Sequence, residues 1–363
     1  MEIKSITDLI NVLKKIGSPQ KDHTRFFRGH SNQEYELKPS IYRNNGFIKN
    51  ENKIIRDAII NNPDSFSKND SVFNVLSKLQ HYGYPTRLLD LTSNALVALY
   101  FIVNNNNNNG ELIILDIPNE NIKYFDSDTV SIVSSISLRN YNFNIELYKI
   151  IEEINFKKEK AMKIIKNNHE ILKNKSSYKK ITHELTSIEN EISLIDKNLI
   201  ILPGLFYNIN KSEKLISKLK EELEMDVIEE SQINKFAYQK ANKIFNNQLG
   251  ILELLHDIRK EKPGFSPIIK SDDLERVICV LAKLDNSRII RQQGCFLLFG
   301  INNKKENHAI LNEKWKKNDY KIIIPQQSKR DILNELKTFG ISKKTLFPEL
   351  ESQSDEIKDE YKE

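Results

Sequence analysis

Residues 95–103 read ALVALYFIV, nine residues in a row with no charged side chain. A helix that is apolar all round is buried on every side. The rest of the chain must therefore supply elements that enclose this one. Thr92, Ser93 or Asn94 caps it as a helix. Gly110 then opens a strand, Glu111 to Ile117, which Pro118 stops.

The flanking sequence supplies partners for that core. Ile6, Leu9, Ile10 and Leu13 share one face of a helix over 5–16, ended by Gly17 and Pro19. Thr24 to His30 is a strand-like run, and the stretch around Leu37, Pro39 and Ile41 is an irregular, partly buried loop. Val72, Val75, Leu76 and Leu79 predict a helix over 68–81. Later, Asp272 and Glu275 have N-cap and N3 spacing for a helix running to about Leu284. Strands are expected at 295–301 and 321–325, and a helix over 331–339 ended by Gly340. The expected fold is α+β, a small mixed sheet flanked by helices.

A different pattern interrupts this core. Tyr178, Ile181, Leu185, Ile188, Ile192, Ile195, Leu199 and Leu202 alternate spacings of three and four, a heptad seam. Pro203-Gly204 breaks it, and helical stretches follow at about 211–226 and 231–260. The simplest organisation is a core in two parts, 1–143 and 263–350. A long coiled-coil-like helical hairpin is inserted at 144–262, and an acidic, frayed tail covers 351–363. The hairpin is a candidate surface for a partner or for self-association, and its Lys157, Lys158, Lys160, Lys163 and Lys166 read first as a solvated face.

Composition narrows the function classes. The formal net charge of +5 over 363 residues permits an anionic partner without demanding nucleic acid. There is no run of 18 apolar residues and no secretory leader, so the expectation is a cytoplasmic protein without a membrane partner. Two cysteines, Cys279 and Cys295, make neither a disulfide framework nor a four-cysteine metal site. The run Asn104 to Asn109 reads as a loop tip.

Three segments carry chemistry. In Phe26-Phe27-Arg28-Gly29, the guanidinium offers a planar fork to a phosphate or ribose, and the glycine permits close backbone approach; the plainer reading pairs Arg28 with an internal carboxylate. The segment His81-Tyr82-Gly83-Tyr84-Pro85-Thr86-Arg87-Leu88-Leu89-Asp90-Leu91-Thr92-Ser93 crowds polar groups onto a turn leading into the buried helix. Such groups need partners, and a helix N-terminus attracts anions; the plainer reading is an Arg87–Asp90 ion pair with Thr92 as a cap. Arg288-Ile289-Ile290-Arg291-Gln292-Gln293-Gly294-Cys295-Phe296 sets a glutamine pair before a glycine and puts an amide at a strand mouth, where it can pair with sugar hydroxyls or a carboxamide; the plainer reading is an ordinary strand start.

Together FFRG, QHYGYPTRLLDLTSNALVALYF, RQQGCF and the ending KTLFPEL resemble the FRG domain family of bacterial and phage proteins. The resemblance covers roughly 20–118 and 265–350 and leaves out the hairpin. Departures are Leu91, where the family often has tryptophan, and His30, where it often has glutamine. The order of parts is also similar to ADP-ribosyltransferases of the arginine–serine–glutamate type. Arg28 would match their aromatic-Arg-Gly element, Leu91-Thr92-Ser93 their Ser-Thr-Ser element, and Gln293 would stand where they carry glutamate.

That second resemblance implies an ADP-ribosyltransferase-like core that consumes NAD, as a transferase or glycohydrolase, with a protein or nucleic acid as acceptor. A toxin or antiphage defence role fits such chemistry. Arg28 would grip phosphate or ribose, with Gly29, Tyr82, Tyr84, Arg87 and Ser93 as further cofactor contacts and a tyrosine stacking on nicotinamide. Thr92 or Ser93 would position the ribose or the Arg28 side chain, and His81 would act as general base. Because Gln293 lacks a charge, either it serves an altered acceptor, or Asp90 faces the developing positive charge, or the site binds a nucleotide without cleaving it. No metal is expected. The alternative is a non-catalytic nucleotide- or nucleic-acid-binding module that recruits a partner through its insertion. A nuclease fits less well, because few carboxylates cluster.

Overall fold

The computed structural model describes residues 1–105, 107–172, a few isolated positions between 183 and 219, 227–317 and 321–361. Two compact units form: residues 1–141, 275–302 and 306–363 make one, and 142–274 with 303–305 make the other. The heptad seam and most of the 211–226 stretch lie outside the described residues.

The first unit is built on a seven-stranded mixed sheet. Its strands are β1 (His23–His30), β2 (Leu88–Thr92), β3 (Gly110–Pro118), β4 (Ile122–Tyr124), β5 (Val277–Leu281), β6 (Gly294–Phe299) and β7 (Ile322–Ile324). Their spatial order is β4-β5-β6-β2-β1-β3-β7, and only the β4–β5 pair is parallel. The period-two side-chain alternation of strands divides the core into two layers. Phe27, Leu112 and Ile114 face one layer, whereas Phe26, Ile113, Leu115 and Ile117 face the other. Four helices of this unit matter below: α1 (Ile6–Ile16), α2 (Val72–His81), α3 (Ala95–Val103) and a later one introduced with the site.

Helix α3 is the apolar segment. Asn94 caps it, its side chain accepting from the Leu96 backbone N–H at 2.9 Å. Leu99, Ile102 and Val103 have no exposed surface, and the layer around them includes α1, β1, β3, β7 and Ile332 and Leu336 of the helix Lys329–Thr338. Burying each such side chain contributes about 1.5–3 kcal/mol.

Two expectations are corrected. The helix expected from Asp272 to about Leu284 is a single turn, Ser271–Leu274, followed by β5. Val277, Ile278, Cys279 and Val280 are all buried between β4 and β6, and a strand covered on both faces reads as an unbroken apolar run. The tail is helical over Leu350–Glu360, where Glu356 accepts from the Lys344 backbone N–H at 2.6 Å. A carboxylate at the first turn of the short helix Lys343–Leu346 satisfies a free amide and ties the tail down.

The second unit is helical among its described residues. It holds α4 (Glu146–Asn167, 22 residues), α5 (Val227–Asn246) and α6 (Leu249–Glu261). The stretch read as one helix over 231–260 is thus two, broken at Asn247 and Gln248. Helix α4 packs along α5, with Ala161, Ile164, Ile165 and Ile233 in one buried cluster. No helix among the described residues is long and apolar enough to cross a membrane.

Candidate functional site

Strands β6, β2 and β1 are neighbours, so the three chemistry-bearing segments meet at one end of the sheet. Phe27 pairs with Thr92, and Thr92 with Gly294. A cavity of about 320 Å³ opens there, lined by Arg28, Gly29, His30, Gln80, His81, Asp90 and Thr92, and on the opposite side by Arg288, Gln292 and Gly294. Arg288 and Gln292 belong to the short helix α7 (Ser287–Gln292), which leads into β6.

The strand carrying FFRG holds two arginines with different fates. Arg25 makes a two-point pair with buried Asp116 at 2.7 Å on both arms, directly across the β1–β3 register, and fastens the two strands. Arg28 goes to the cavity. Its Nε donates to His30 Nε2 at 3.0 Å and its Nη1 to the Asp90 backbone oxygen at 2.6 Å, with the Asp90 carboxylate at 3.9 Å. Its side chain is 15% exposed. Burial pulls its pKa down to about 10, against the opposing pull of Asp90, so it stays charged at neutral pH.

Two histidines line the same space. Burial, followed by the Arg28 and Arg43 guanidinium groups, holds His30 down at about 3. It is therefore neutral and free to accept from Arg28. His81 ends α2, and its pKa is lowered by burial and by Arg288, with Glu349 opposing. Its Nε2 lies 3.2 Å from Glu349 and its Nδ1 3.4 Å from the Asn286 amide. The Arg288 guanidinium carbon stands over the Phe347 ring, 4.3 Å from its centre, and Nη1 donates to the His81 backbone oxygen at 3.0 Å. Asp90 is the only carboxylate among the lining residues. Its Oδ2 accepts from the Gln80 amide at 2.9 Å.

The structure brings together Arg28, Gly29, His81, Asp90 and Thr92 from the sequence reading and leaves five others outside the cavity. Arg87 is fully buried and grips Glu51 through two contacts, 2.9 and 2.5 Å, with a third donation to the Phe299 backbone oxygen. It is a core ion pair, formed with Glu51 rather than Asp90, and cannot reach a cofactor. Tyr82 is 68% exposed and lines a neighbouring cavity, its ring edge-on to His81. Tyr84 does not line the site. Ser93 is exposed and donates to Gln293 Oε1 at 3.4 Å.

Gln293 is the cap of α7 with a left-handed φ of +47°, and this turn carries its side chain away while Gln292 and Gly294 line the cavity. The Thr92 hydroxyl is already engaged. It donates to the Gln292 backbone oxygen at 2.7 Å and accepts from the Asn94 N–H at 3.0 Å, fixing the entry into α3.

Gly29 lines the cavity, yet its missing side chain is explained from behind. A Cβ there would stand 2.1 Å from the Ala98 backbone oxygen and 2.7 Å from Ile102 Cγ1. The glycine of the motif is what lets the apolar helix α3 lie against β1.

The structure adds His30, Gln80, Arg43, Arg288 and Gln292 to the lining; the sequence reading quotes all of these but Arg43 without assigning them to the site. Gln80, Arg288 and Gln292 sit inside or beside the quoted segments, so the signal was present and only the register was missing. Arg43 lies in the irregular loop after Pro39, where no pattern marks it.

Residues 23–111 match the family model of the FRG domain. The chain carries an FRG domain. The matched stretch holds FFRG and the 80–103 segment, whereas RQQGCF and KTLFPEL lie beyond it. No curated protein and no solved structure gives a significant match. The FRG stretch thus contributes Arg28, Gly29, His81, Asp90 and Thr92 to the cavity. Arg288 and Gln292 arrive from outside the matched region. Among the described residues no group of three His, Cys, Asp or Glu side chains is placed to hold a metal ion.

Proposed function

We propose that the FRG cavity takes the reacting end of NAD and breaks its nicotinamide–ribose bond, passing ADP-ribose to water or to a protein or nucleic-acid acceptor. The observation that carries this reading is the adjacency of β6, β2 and β1. Three segments, the first and last of them about 260 positions apart, face one cavity, in the order the transferase resemblance implies. The volume falls at the small end of ligand sites, roughly 300–1,000 Å³, so the adenosine half would lie outside.

The residues divide the work by charge. Arg28 and Arg288 meet the diphosphate or ribose oxygens. Asp90, held by Gln80 and facing Arg28, is the carboxylate available to the oxocarbenium-like state. This role passes to Asp90 because Gln293 is uncharged and points away. In the net reaction the ribose–nitrogen bond breaks, nicotinamide leaves with the bonding pair, the acceptor oxygen or nitrogen bonds to the ribose carbon, and one proton is released. Neutral His81 can take that proton once the acceptor replaces the Asn286 amide at Nδ1.

The test is nicotinamide release from NAD by the full chain, with water alone and with protein or nucleic acid added. Wild type should release nicotinamide, and Arg28→Ala and Asp90→Asn should not. Saturable NAD binding without release under every condition would instead identify a nucleotide-binding module. That second reading is favoured by the engagement of the Thr92 hydroxyl.

A further inference from the structure

A cavity of about 400 Å³ lies wholly within the helical unit, between α4 and α5 with Ser271 and Asp272 alongside. Its walls carry the carboxylates Glu146, Glu152, Glu153 and Asp272 against one ammonium, Lys149. Acidic side chains alone would say little. Glu152, however, is only 7% exposed, and its Oε1 has no hydrogen-bond partner among the described residues. Ser271 and Asn242 hydrogen-bond the same carboxyl group, which leaves that one oxygen open. A buried acceptor without a donor is costly, the more so when charged. Burial pushes the Glu152 carboxyl up, outweighing the Lys149 ammonium.

The remaining wall is aromatic. Phe156 and Tyr238 stand edge to face with ring centres 5.8 Å apart. Rings of this kind attract cations, and an ammonium of the chain itself, Lys270, lies 5.8 Å from the Tyr238 ring centre. Among the described residues these carboxylates do not converge as a group of three that could hold a metal ion. A guanidinium would want two free oxygens for its fork, and Glu152 offers one.

We propose that this cavity binds an alkylammonium group, whose N–H donates to Glu152 Oε1 while its methylene stem lies against Phe156 and Tyr238. The group can belong to a free diamine or to a lysine side chain of a partner protein. This site is independent of the NAD reading.

The experiment is calorimetric titration of the full chain at low ionic strength with putrescine, with N-acetyl-lysine amide, and with N-acetyl-arginine amide. Saturable binding of either amine is expected, weakened about ten-fold or more in Glu152→Gln, the order of one charge-assisted hydrogen bond. The circular-dichroism melt should be unchanged. Tyr238→Leu provides a second variant, expected to weaken binding through the ring. Binding of the lysine amide but not putrescine would assign the group to a partner protein, and the reverse would assign it to a free amine. No saturable binding, equal displacement by magnesium chloride, or arginine amide binding as tightly as the amines would overturn the proposal.

Discussion

Replacing Gly29 by alanine separates a packing role for the Phe-Arg-Gly glycine from a ligand-contact role. The added Cβ would meet the Ala98 backbone oxygen at 2.1 Å, whereas ordinary contact begins near 3.4 Å. Strand β1 or helix α3 must therefore yield by about 1.3 Å at that point. The obstacle is a helix carbonyl, which cannot rotate aside as a side chain does. Leu99, Ile102 and Val103 are fully buried around it, so a retreat of α3 opens gaps on its far side. A gap of 0.5–1 Å already forfeits roughly a quarter to a half of a dispersion contact. Overpacking costs about 1–3 kcal/mol in general, and the rigid obstacle places this substitution at or above ~3 kcal/mol. With an unfolding entropy of about 2.1 cal/mol/K per residue, that is a fall of about 4 °C in Tm for the chain of 363 residues. Gly83→Ala is the control. Its φ of +79° strains an alanine, but nothing lies within 4 Å, so only the backbone cost of about 1–2 kcal/mol applies. Thermal and urea melts of the three proteins measure the difference. The reasoning is refuted if Gly29→Ala melts with wild type while losing NAD turnover, since the glycine would then serve the ligand.

Glu51→Gln leaves the Arg87 charge buried without its partner and should destabilise by about 3–5 kcal/mol, seen as a lower urea midpoint at unchanged slope. His30 is held near 3 in the fold against about 6.5 when unfolded. The unfolded chain thus binds the extra proton first, and stability is lost as pH falls below 6.5. The loss is roughly 2 kcal/mol by pH 5, and His30→Gln should flatten that slope in urea melts at pH 7, 6 and 5. Gln293→Ala should leave nicotinamide release within about two-fold of wild type, whereas Asp90→Asn should abolish it, because only Asp90 lines the cavity.

Local pattern carried far into the fold where one residue's neighbours in sequence are also its neighbours in space. The apolar run at 95–103, the three-four spacing at 72–79 and the Gly–Pro limits of 110–118 each specify an element by themselves. The cap at Asn94 is equally local. Pattern misled where burial on both faces erased periodicity, as in β5, and where a distant group intervened, as Glu356 does at Lys344. It could not rank Gln292 against Gln293, because a single left-handed residue decides which amide meets the cavity.

The sequence by itself determined most of the elements, the α+β class and the stretches in which polar side chains gather beside a buried helix, because spacing, capping and turn chemistry act within a few residues. Tertiary structure alone decided which arginine is a rivet and which faces a cavity. Arg25 and Arg87 found buried carboxylates across the fold, and Arg28 found a backbone oxygen and a neutral histidine at the mouth of a cavity. An ion pair depends on groups tens to hundreds of positions apart arriving within a few ångströms, and no spacing along the chain records that distance.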